Sequence, residues 1–523
     1  MANWINRDSN ACIKTIKEEL GLYAFFILYL SIWVMGGEWL PLASELDSTE
    51  QIVWSQSWQW GYYKHPPLPS LLLNLLNRVF DGPSKGLNAF VAQGCNVIAM
   101  IYVWLLAKQI LSRKLALVAV LLTSLIAYHN FRAFAFNHNT VSLPFTAAAL
   151  YYFYGAVRRP KQLSNWCWLG LVSGLAMLTK YSALLVFASF FIWLVWQRLL
   201  TQRAILTGLL CSVLIAVLIF SPHVFWLIDN NWPSFRYLQD KLTESGHVFS
   251  ILFGFTMTQF IRLSFAVPTL LGIWLLIKSG RIVKTSVASV QSSAGAIYDR
   301  NFLLVMFFTP LGLAYLQLFL LGGELNSNWI SAFFLPLGSL ITLVFLKGFE
   351  PSQLLKYVVR LTVVTQICIV VGFFALAVVY PKQVGSAARL TFPSRALADK
   401  VSEIWRSHQS QPIPVIISDY WTAGNVLLHL RPEPPVLIDN SLEKSTGLTA
   451  QDIAACTAFV LINQEGISQD YVALMNQAQV KGEFSVSWGF LPKGKEIHYV
   501  WAIKVPEQGA GACRLAQPQK EVK

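Results

Sequence analysis

Long uncharged apolar windows, separated by short basic clusters, dominate the pattern of this chain. A helix needs about 20 apolar residues to cross a hydrocarbon core. Windows near that length lie at 21–37, 87–107, 115–131, 139–157, 163–179, 181–197, 204–228, 255–277, 302–323, 329–346 and 361–380, which predicts about eleven transmembrane helices. The clusters Lys108/Arg113/Lys114, Arg158/Arg159/Lys161, Arg198/Arg203, Lys278/Arg281/Lys284 and Lys347/Lys356/Arg360 all fall between alternate windows. The positive-inside rule therefore assigns all of them to the cytoplasm; one missed span would have moved the later clusters to the other side. With the N-terminus inside and an odd number of spans, the C-terminus is expected outside. The first window follows Lys14, Lys17 and two Glu without a small-residue cleavage site, and is read as an uncleaved first span.

The pattern changes after the last window. Within 381–523, PVIISD (414–419), PPVLID (434–439) and AFVLIN (458–463) read as short buried strands, and the stretches near 394–407 and 450–455 as helices. The expected fold class is thus a polytopic α-helical membrane protein, residues 1–380, with a small C-terminal α/β extracytoplasmic domain, residues 381–523. That domain shows no Gly-rich phosphate loop and no catalytic cluster, so it is read as an acceptor-handling or structural module. The external stretch 38–86 between the first two windows is long and dense in Trp, Tyr, Pro and polar residues, and long ordered loops usually carry function.

Composition sharpens the class. Of the 523 residues 55% are hydrophobic and 13% charged, against about 25% charged in an ordinary soluble domain. The net charge of +13 is spent on topology clusters, which argues against a nucleic-acid partner; membrane lipids are the expected surroundings. Five of the seven Cys lie in or beside apolar segments and read as small buried hydrophobes. Cys456 and Cys513 are the pair in the polar region; pairing and two free thiols both stay open at this level.

Candidate chemistry concentrates in the first external loop. Asp47, Glu50, Gln51, Trp54 and Trp58 recur at helical spacing, giving one face of carboxylates and Trp on a helix expected along the membrane surface. Spacing alone favours a solvated interfacial helix with Trp anchors. The following GYYKHPPLP adds a stiff Pro-Pro turn that fixes Lys64 and His65 near the surface.

The run DSTEQIVWSQSWQWGYYKHPPLPSLLLNLL resembles the first external loop of the family 39 glycosyltransferases, the GT-C group containing protein O-mannosyltransferases and lipid A aminoarabinose transferases. Their loop has Asp, usually Asp-Glu, at the helix head, a W-S-Q-like segment and a G-Y-Y-x-H-P-P turn. GLVSGLAMLTKYSALLV (170–186), SPHVFWLIDNNWPSFRY (221–237) and NSNWISAFFLP (326–336) resemble further family segments in the same order. The resemblance covers most of 40–340 and is silent on the sugar. It puts Asp47 on the family's catalytic Asp. It also shows departures: Ser48 stands for the usual Glu, Lys64 for the Asp of Y-Y-D-H-P-P, and Asn139 where T-P-D-x-P-L has its acid.

What the resemblance implies is inverting transfer of a sugar from a polyprenyl-phosphate donor to a lipid A, other glycolipid, polysaccharide or protein acceptor, on the periplasmic face of a bacterial inner membrane. Asp47 would be the general base. Lys180, Arg236, Lys64, His65 and Arg262 would hold the donor phosphate, and Glu50, Trp54, Tyr62, Tyr63, Tyr181 and Asn139 would contact sugar or acceptor. Bland readings stand beside these. Lys180 and Arg262 can snorkel to headgroups, Arg132 and Lys241 can equally help neutralise the carrier phosphate or be ordinary interfacial charges, and the aromatics can belong to an interfacial belt. With two family acids missing, no cofactor is expected and a divalent-metal site is disfavoured. The rivals are a transporter or flippase with charges lining a pathway, and a degenerate member that only binds lipid-linked sugar.

Overall fold

The computed structural model describes residues 2–516 apart from 244–247, 286–293, 322–325, 467–468, 479, 489–494, 508 and 510. The apolar windows form helices. In chain order they are α1 (Ala2–Trp39), the short α2 (Leu46–Trp54) and α3 (Leu68–Val79), α4 (Lys85–Ile110), α5 (Arg113–Ser124), α6 (His138–Arg158), α7 (Leu163–Thr179), α8 (Ala183–Trp196), α9 (Arg203–Asp229), α10 (Pro233–Thr243), α11 (Val248–Ser264), α12 (Val267–Lys278), α13 (Ala294–Leu321), α14 (Leu337–Ile341), α15 (Pro351–Phe374) and α16 (Tyr380–Val384). Among the described residues five helices are long and apolar enough to cross a membrane, or up to eight if each bent pair counts as one span. The expected eleven needs α6, α7 and α8 as well, and α7 and α8 are shorter than that test requires.

Three windows read as continuous spans are broken instead. The 115–131 window bends by 95° after Ser124 into two short 3-10 turns, Ala127–His129 and Phe131–Phe134; 255–277 bends by 55° between α11 and α12, and 329–346 by 48° between the 3-10 segment Ser327–Phe334 and α14. The sharpest break has a side-chain cause. Asn130 Nδ2 donates to the Ser124 carbonyl at 2.9 Å and to Gln366 Oε1 at 2.6 Å, and Gln366 Nε2 donates to the same Ser124 carbonyl at 3.0 Å. Amides thus satisfy the backbone group that the helix abandons. Irregular backbone at membrane depth is tolerated where it is buried in protein or lines a cavity, and this segment does line one. Elsewhere the helices approach closely through small residues: a Cβ on Gly170 would sit 2.6 Å from the Ser212 carbonyl oxygen, and one on Gly174 2.8 Å from Ile219 Cβ, so α7 and α9 pack backbone to backbone.

After α16, α17 (Ser394–His408) leads into an α/β unit built from β1 (Val415–Ser418), α18 (Tyr420–Leu427), β2 (Val436–Ile438), α19 (Ala450–Ala455), β3 (Ala458–Asn463), α20 (Gln469–Gln477), β4 (Val480–Trp488) and β5 (Lys495–Lys504). The sheet order is β2-β1-β3-β5-β4. The first three strands pair in parallel, with Ile416 opposite Val436 and Phe459, and β5 runs antiparallel to β3 and β4. Cys456 and Cys513 are joined by a disulfide, which closes the question their spacing left open.

This unit shares its core with the first external loop. Ile52, Val53 and Trp54 of α2 and Leu73 of α3 lie in one buried apolar cluster with Leu397, Val426, Leu427, Ile438 and Phe459. The backbones come close where a Cβ on Gly424 of α18 would lie 2.6 Å from Thr49 Cβ and 2.7 Å from the Thr49 carbonyl oxygen; no larger residue fits without pushing α2 away.

Candidate functional site

Helix α2 begins at a strap, residues 41–45, pinned on both sides. Lys85 Nζ donates to the Pro41 carbonyl at 2.6 Å, the Ser44 amide donates to Asn425 Oδ1 at 3.0 Å, and Asn88 Nδ2 donates to Ser44 Oγ at 3.1 Å. Inside the helix, Ser48 Oγ donates to the Phe136 carbonyl at 3.1 Å and accepts from the Phe136 amide at 3.0 Å. Ser48, standing where the resemblance expects Glu, is therefore a clasp between α2 and the segment leading into α6. Both its hydrogen-bonding functions are used, and it is 2% exposed.

Asp47, one residue earlier, faces the other way. It is half-buried, accepts a hydrogen bond from Asn137 Nδ2 at 3.1 Å, and opens into a cavity of about 260 Å³. Glu45, Tyr128, Arg132, Asn137, Asn139, Asn326, Asn328 and Arg389 line that cavity with it. The broken helix after Ser124 delivers Tyr128 and Arg132, and Arg389 arrives from beyond the last long helix. Burial raises the Glu45 carboxyl above its ordinary value against the pull of Arg132 and Arg389, so both guanidinium groups act on this corner. Arg132 Nε donates to Asn328 Oδ1 at 3.3 Å, and Tyr128 Oη lies 2.6 Å from Gln259 Oε1 and 2.7 Å from the Ser327 carbonyl. The result is a small polar chamber lined by two carboxylates, Asp47 and Glu45, and two arginines. Such an arrangement can receive an anion at the arginines while Asp47 takes a proton from a hydroxyl beside it.

Of the residues expected from sequence, Asp47 and Asn139 line this chamber. Lys180 is buried one step behind it, donating to Asn139 Oδ1 and lying 5.2 Å from the centre of the Trp329 ring; Asp47 is the acidic group whose field reaches it. Arg262 is half-buried next to the chamber wall, 6.0 Å from the Tyr128 ring, with its Nε buried and unpartnered.

The remaining candidates lie elsewhere. Lys64 Nζ is 2.6 Å from Glu50 Oε1 and stands 4.8 Å from the Tyr420 ring and 5.5 Å from the Tyr237 ring. Burial by itself lowers the Lys64 ammonium, but Glu50 and the Tyr420 and Tyr237 side chains outweigh it and hold the group above its ordinary value. Lys64 and Glu50, expected to meet phosphate and acceptor, neutralise each other under the C-terminal unit. His65 packs against His138 with the rings tilted by 42° and their centres 4.1 Å apart; burial, then His138, Lys180 and Lys64 nearby, hold its imidazole well below the ordinary value, hence neutral. Trp54 and Tyr62 stack on each other at 5.3 Å, each 1% exposed, which leaves neither face for a sugar. Tyr63 meets Tyr237 edge-on, and Tyr181 bonds His223 Nε2 at 2.7 Å. Arg236 is exposed and pairs with Glu443 of the C-terminal unit, away from the chamber. The Lys241 side chain lies outside the described residues.

Sequence reasoning gave no role to Glu45, Tyr128, Asn137, Asn326, Asn328 and Arg389, and weighed Arg132 evenly between a phosphate contact and an ordinary interfacial charge. The available signal was weak: a Glu two residues before Asp47, and the Asn pairs of FNHNT and NSN. Nothing local marked Arg389, which folding brings to residues more than three hundred positions earlier. Among the described residues no three or more His, Cys, Asp or Glu gather as a metal site.

A family model described as dolichyl-phosphate-mannose-protein mannosyltransferase matches residues 64–226. The lipopolysaccharide core galacturonosyltransferases RgtA and RgtB of Rhizobium johnstonii are similar to this chain. RgtA is 24% identical over 431 residues, 81% of this chain and 83% of that protein; RgtB is 25% identical over 427 residues, 80% and 81% of the two. In fold, the chain is similar to ArnT from Cupriavidus metallidurans in its undecaprenyl-phosphate-bound crystal structure, with a TM-score of 0.59 at 11% identity over 95% of this chain and 99% of that one. Over residues 64–226 the chain is thus similar to the mannosyltransferase family, over most of its length to the two galacturonosyltransferases, and in fold to ArnT.

Proposed function

We propose that the protein transfers a sugar, with inversion, from a polyprenyl-phosphate donor to a lipopolysaccharide-core type of glycolipid at the periplasmic face of the inner membrane. The observation that carries this reading is the chamber itself: Asp47 at the head of α2 shares one small polar cavity with Arg132 and Arg389. The donor's phosphate is held by the two arginines, with Lys180 behind Asn139 adding positive field as the glycosidic bond breaks and negative charge collects on the leaving phosphate. Asp47, oriented by Asn137, takes the proton of the acceptor hydroxyl that attacks from the opposite face of the sugar. An activated phosphate needs no general acid, so the two-carboxylate rule of glycoside hydrolases does not apply. The reaction on this reading runs without a divalent metal.

The relatives' names point to a galacturonosyl group as the first sugar to try. The Cys456–Cys513 disulfide agrees with an oxidising compartment for the C-terminal unit. The topology is tested by reporters active only outside the cytoplasm: one fused after residue 390 should be active, and ones fused near 159 or 281 silent. The function is tested with purified protein in lipid nanodiscs given undecaprenyl-phosphate-linked galacturonic acid and rough-type lipopolysaccharide. Mass spectrometry should show one uronic acid added to the core, at an unchanged rate in the presence of a chelator. Protein that binds the donor yet adds no sugar to lipopolysaccharide, to other glycolipids or to envelope proteins would favour the binding-only reading.

A further inference from the structure

An Asn side chain offers one acceptor oxygen and one NH₂ donor, and four Asn line the Asp47 chamber. Asn137 is fully spent: its Nδ2 donates to Asp47 at 3.1 Å and its Oδ1 accepts from the Thr140 amide at 3.0 Å. The other three have only their oxygens engaged. Asn139 Oδ1 accepts from Lys180 Nζ, Asn328 Oδ1 from Arg132 Nε at 3.3 Å, and Asn326 Oδ1 from the Asn328 backbone amide at 3.0 Å. Each of those partners can only donate, which settles which end of each amide is the oxygen. Among the described residues Nδ2 of Asn139, Asn326 and Asn328 makes no hydrogen bond, Arg132 uses only its Nε, and the Arg389 guanidinium has neither a hydrogen bond nor an ion pair. Asn326 and Asn328 lie together because Asn326 caps the 3-10 segment Ser327–Phe334, beside Arg132.

This wall is a set of unused donors. A neutral hexose meets it with hydroxyls, each carrying a proton that needs an acceptor, whereas a carboxylate only accepts. Charge points the same way. Three guanidinium groups, which stay ionised in proteins, lie in or beside the chamber: Arg132 and Arg389 on its lining, and Arg262 close enough to Arg132 for mutual repulsion. They face two carboxylates, Asp47 and Glu45, with Lys180 behind Asn139. The single charge of a sugar phosphodiester answers the excess guanidinium, and Lys180 leaves room for one more anion.

We propose that Asn326 and Asn328, with the Nη groups of Arg132, read a carboxylate on the sugar being transferred, so that the donor is a polyprenyl-phosphate-linked uronic acid and neutral hexoses are rejected. The inference rests on the transfer reaction proposed above and assigns its sugar specificity to named side chains. Phosphate and carboxylate share Arg132, Arg389 completes the phosphate side, and the two amides belong to the sugar. A neutral sugar would leave these donors without partners, the usual source of strong discrimination.

The test uses full-length protein in nanodiscs and two donors that differ only in a carboxylate against a hydroxymethyl group: undecaprenyl-phosphate-linked galacturonic acid and undecaprenyl-phosphate-linked galactose. Binding and transfer are read separately. The wild type should bind the uronosyl donor at least about tenfold more tightly, as expected for hydrogen bonds to a charged group. Asn328→Asp keeps the acceptor for Arg132, and Asn326→Asp keeps the cap on the Asn328 amide, but each puts a carboxylate oxygen where the NH₂ was. Either alone should cut the preference severalfold, and the double variant should remove it. Both donors carry the same phosphate, so their ratio cancels any effect of the substitutions on phosphate binding or on the amount of folded protein. Equal affinity of the wild type for the two donors, or a wild-type ratio in the double variant, would overturn the proposal. Galactose transferred as fast as galacturonic acid would keep the reaction and remove the carboxylate subsite. An asparagine-dependent preference in a protein that binds both donors and transfers neither would leave the subsite standing and remove the reaction.

Discussion

Helix α2 carries two acidic side chains one turn apart in opposite surroundings. Asp47 is half-buried, has one amide donor and looks into a chamber with arginines. Glu50 is 7% exposed and is closed off by Lys64, whose ammonium stands against the Tyr420 and Tyr237 rings. The difference shows what buried charge is for in each place. An ion pair sealed from ligand gives register and rigidity, whereas a carboxylate with unused lone pairs facing a cavity is available for proton transfer. The two carboxylates are three residues apart and share one side of α2; what differs is their cover, a scaffold packed over Glu50 and an open cavity at Asp47.

The strongest way to break this contrast is to remove the cover over Glu50. Deleting 385–523 strips half of a shared core, including Leu397, Val426, Leu427 and Phe459, and should abolish folding of the first external loop. Limited proteolysis within 40–80 would reveal this; a protected loop in the truncated protein would show that the two parts are independent. Next comes Asp47→Asn, which keeps shape but not basicity. Transfer should fall by about 10²–10⁴-fold, with thermal stability and donor affinity unchanged, and a rate near wild type would take the chemistry away from Asp47.

Lys64→Ala leaves Glu50 buried without its partner. With Lys64 itself 20% exposed, the loss should be near the low end for a broken buried pair, about 3 kcal/mol, seen as a lowered melting temperature that Lys64→Met with Glu50→Leu largely recovers. Arg132→Ala should weaken binding of undecaprenyl phosphate by about 1.5–3 kcal/mol, the usual worth of a hydrogen bond to a charged group, without affecting stability. Smallest of all is Arg236→Ala. Its partner Glu443 is also exposed, so stability should move by less than about 1 kcal/mol and donor affinity not at all. Tight coupling of donor affinity to Arg236 would return that residue to the site.

How much of this was legible follows from what each feature depends on. The apolar windows became helices because their length and composition leave little alternative in lipid, and the runs at 414–419, 434–439 and 458–463 became the parallel strands because buried strands read as continuous apolar runs. The β4–β5 hairpin escaped notice: β4 alternates half-buried and exposed residues through KGEFSVS, which looks like a polar surface stretch. The break after Ser124 was also invisible, since Asn130 and Gln366 lie far apart in sequence and act only once packed. In the site, Asp47 was readable because a local motif carries it. Trp54, Tyr62 and His65 belong to the same motif but serve its packing, and a motif match does not separate the two roles. Arg389 shows the converse, a long-range contributor with no local sign.

The core shared between the segment joining α1 to α4 and the C-terminal unit sets the rule for building hybrids of this protein with its relatives. A fusion joint at the end of the last long helix looks natural on a linear map, yet it would set a foreign α18 against Thr49, where Gly424 leaves room for nothing larger. An exchange that moves 40–80 together with the segment from 385 onward transplants a complete interlocking surface. Only such paired swaps should give hybrids in which a change of acceptor preference reads out recognition instead of misfolding.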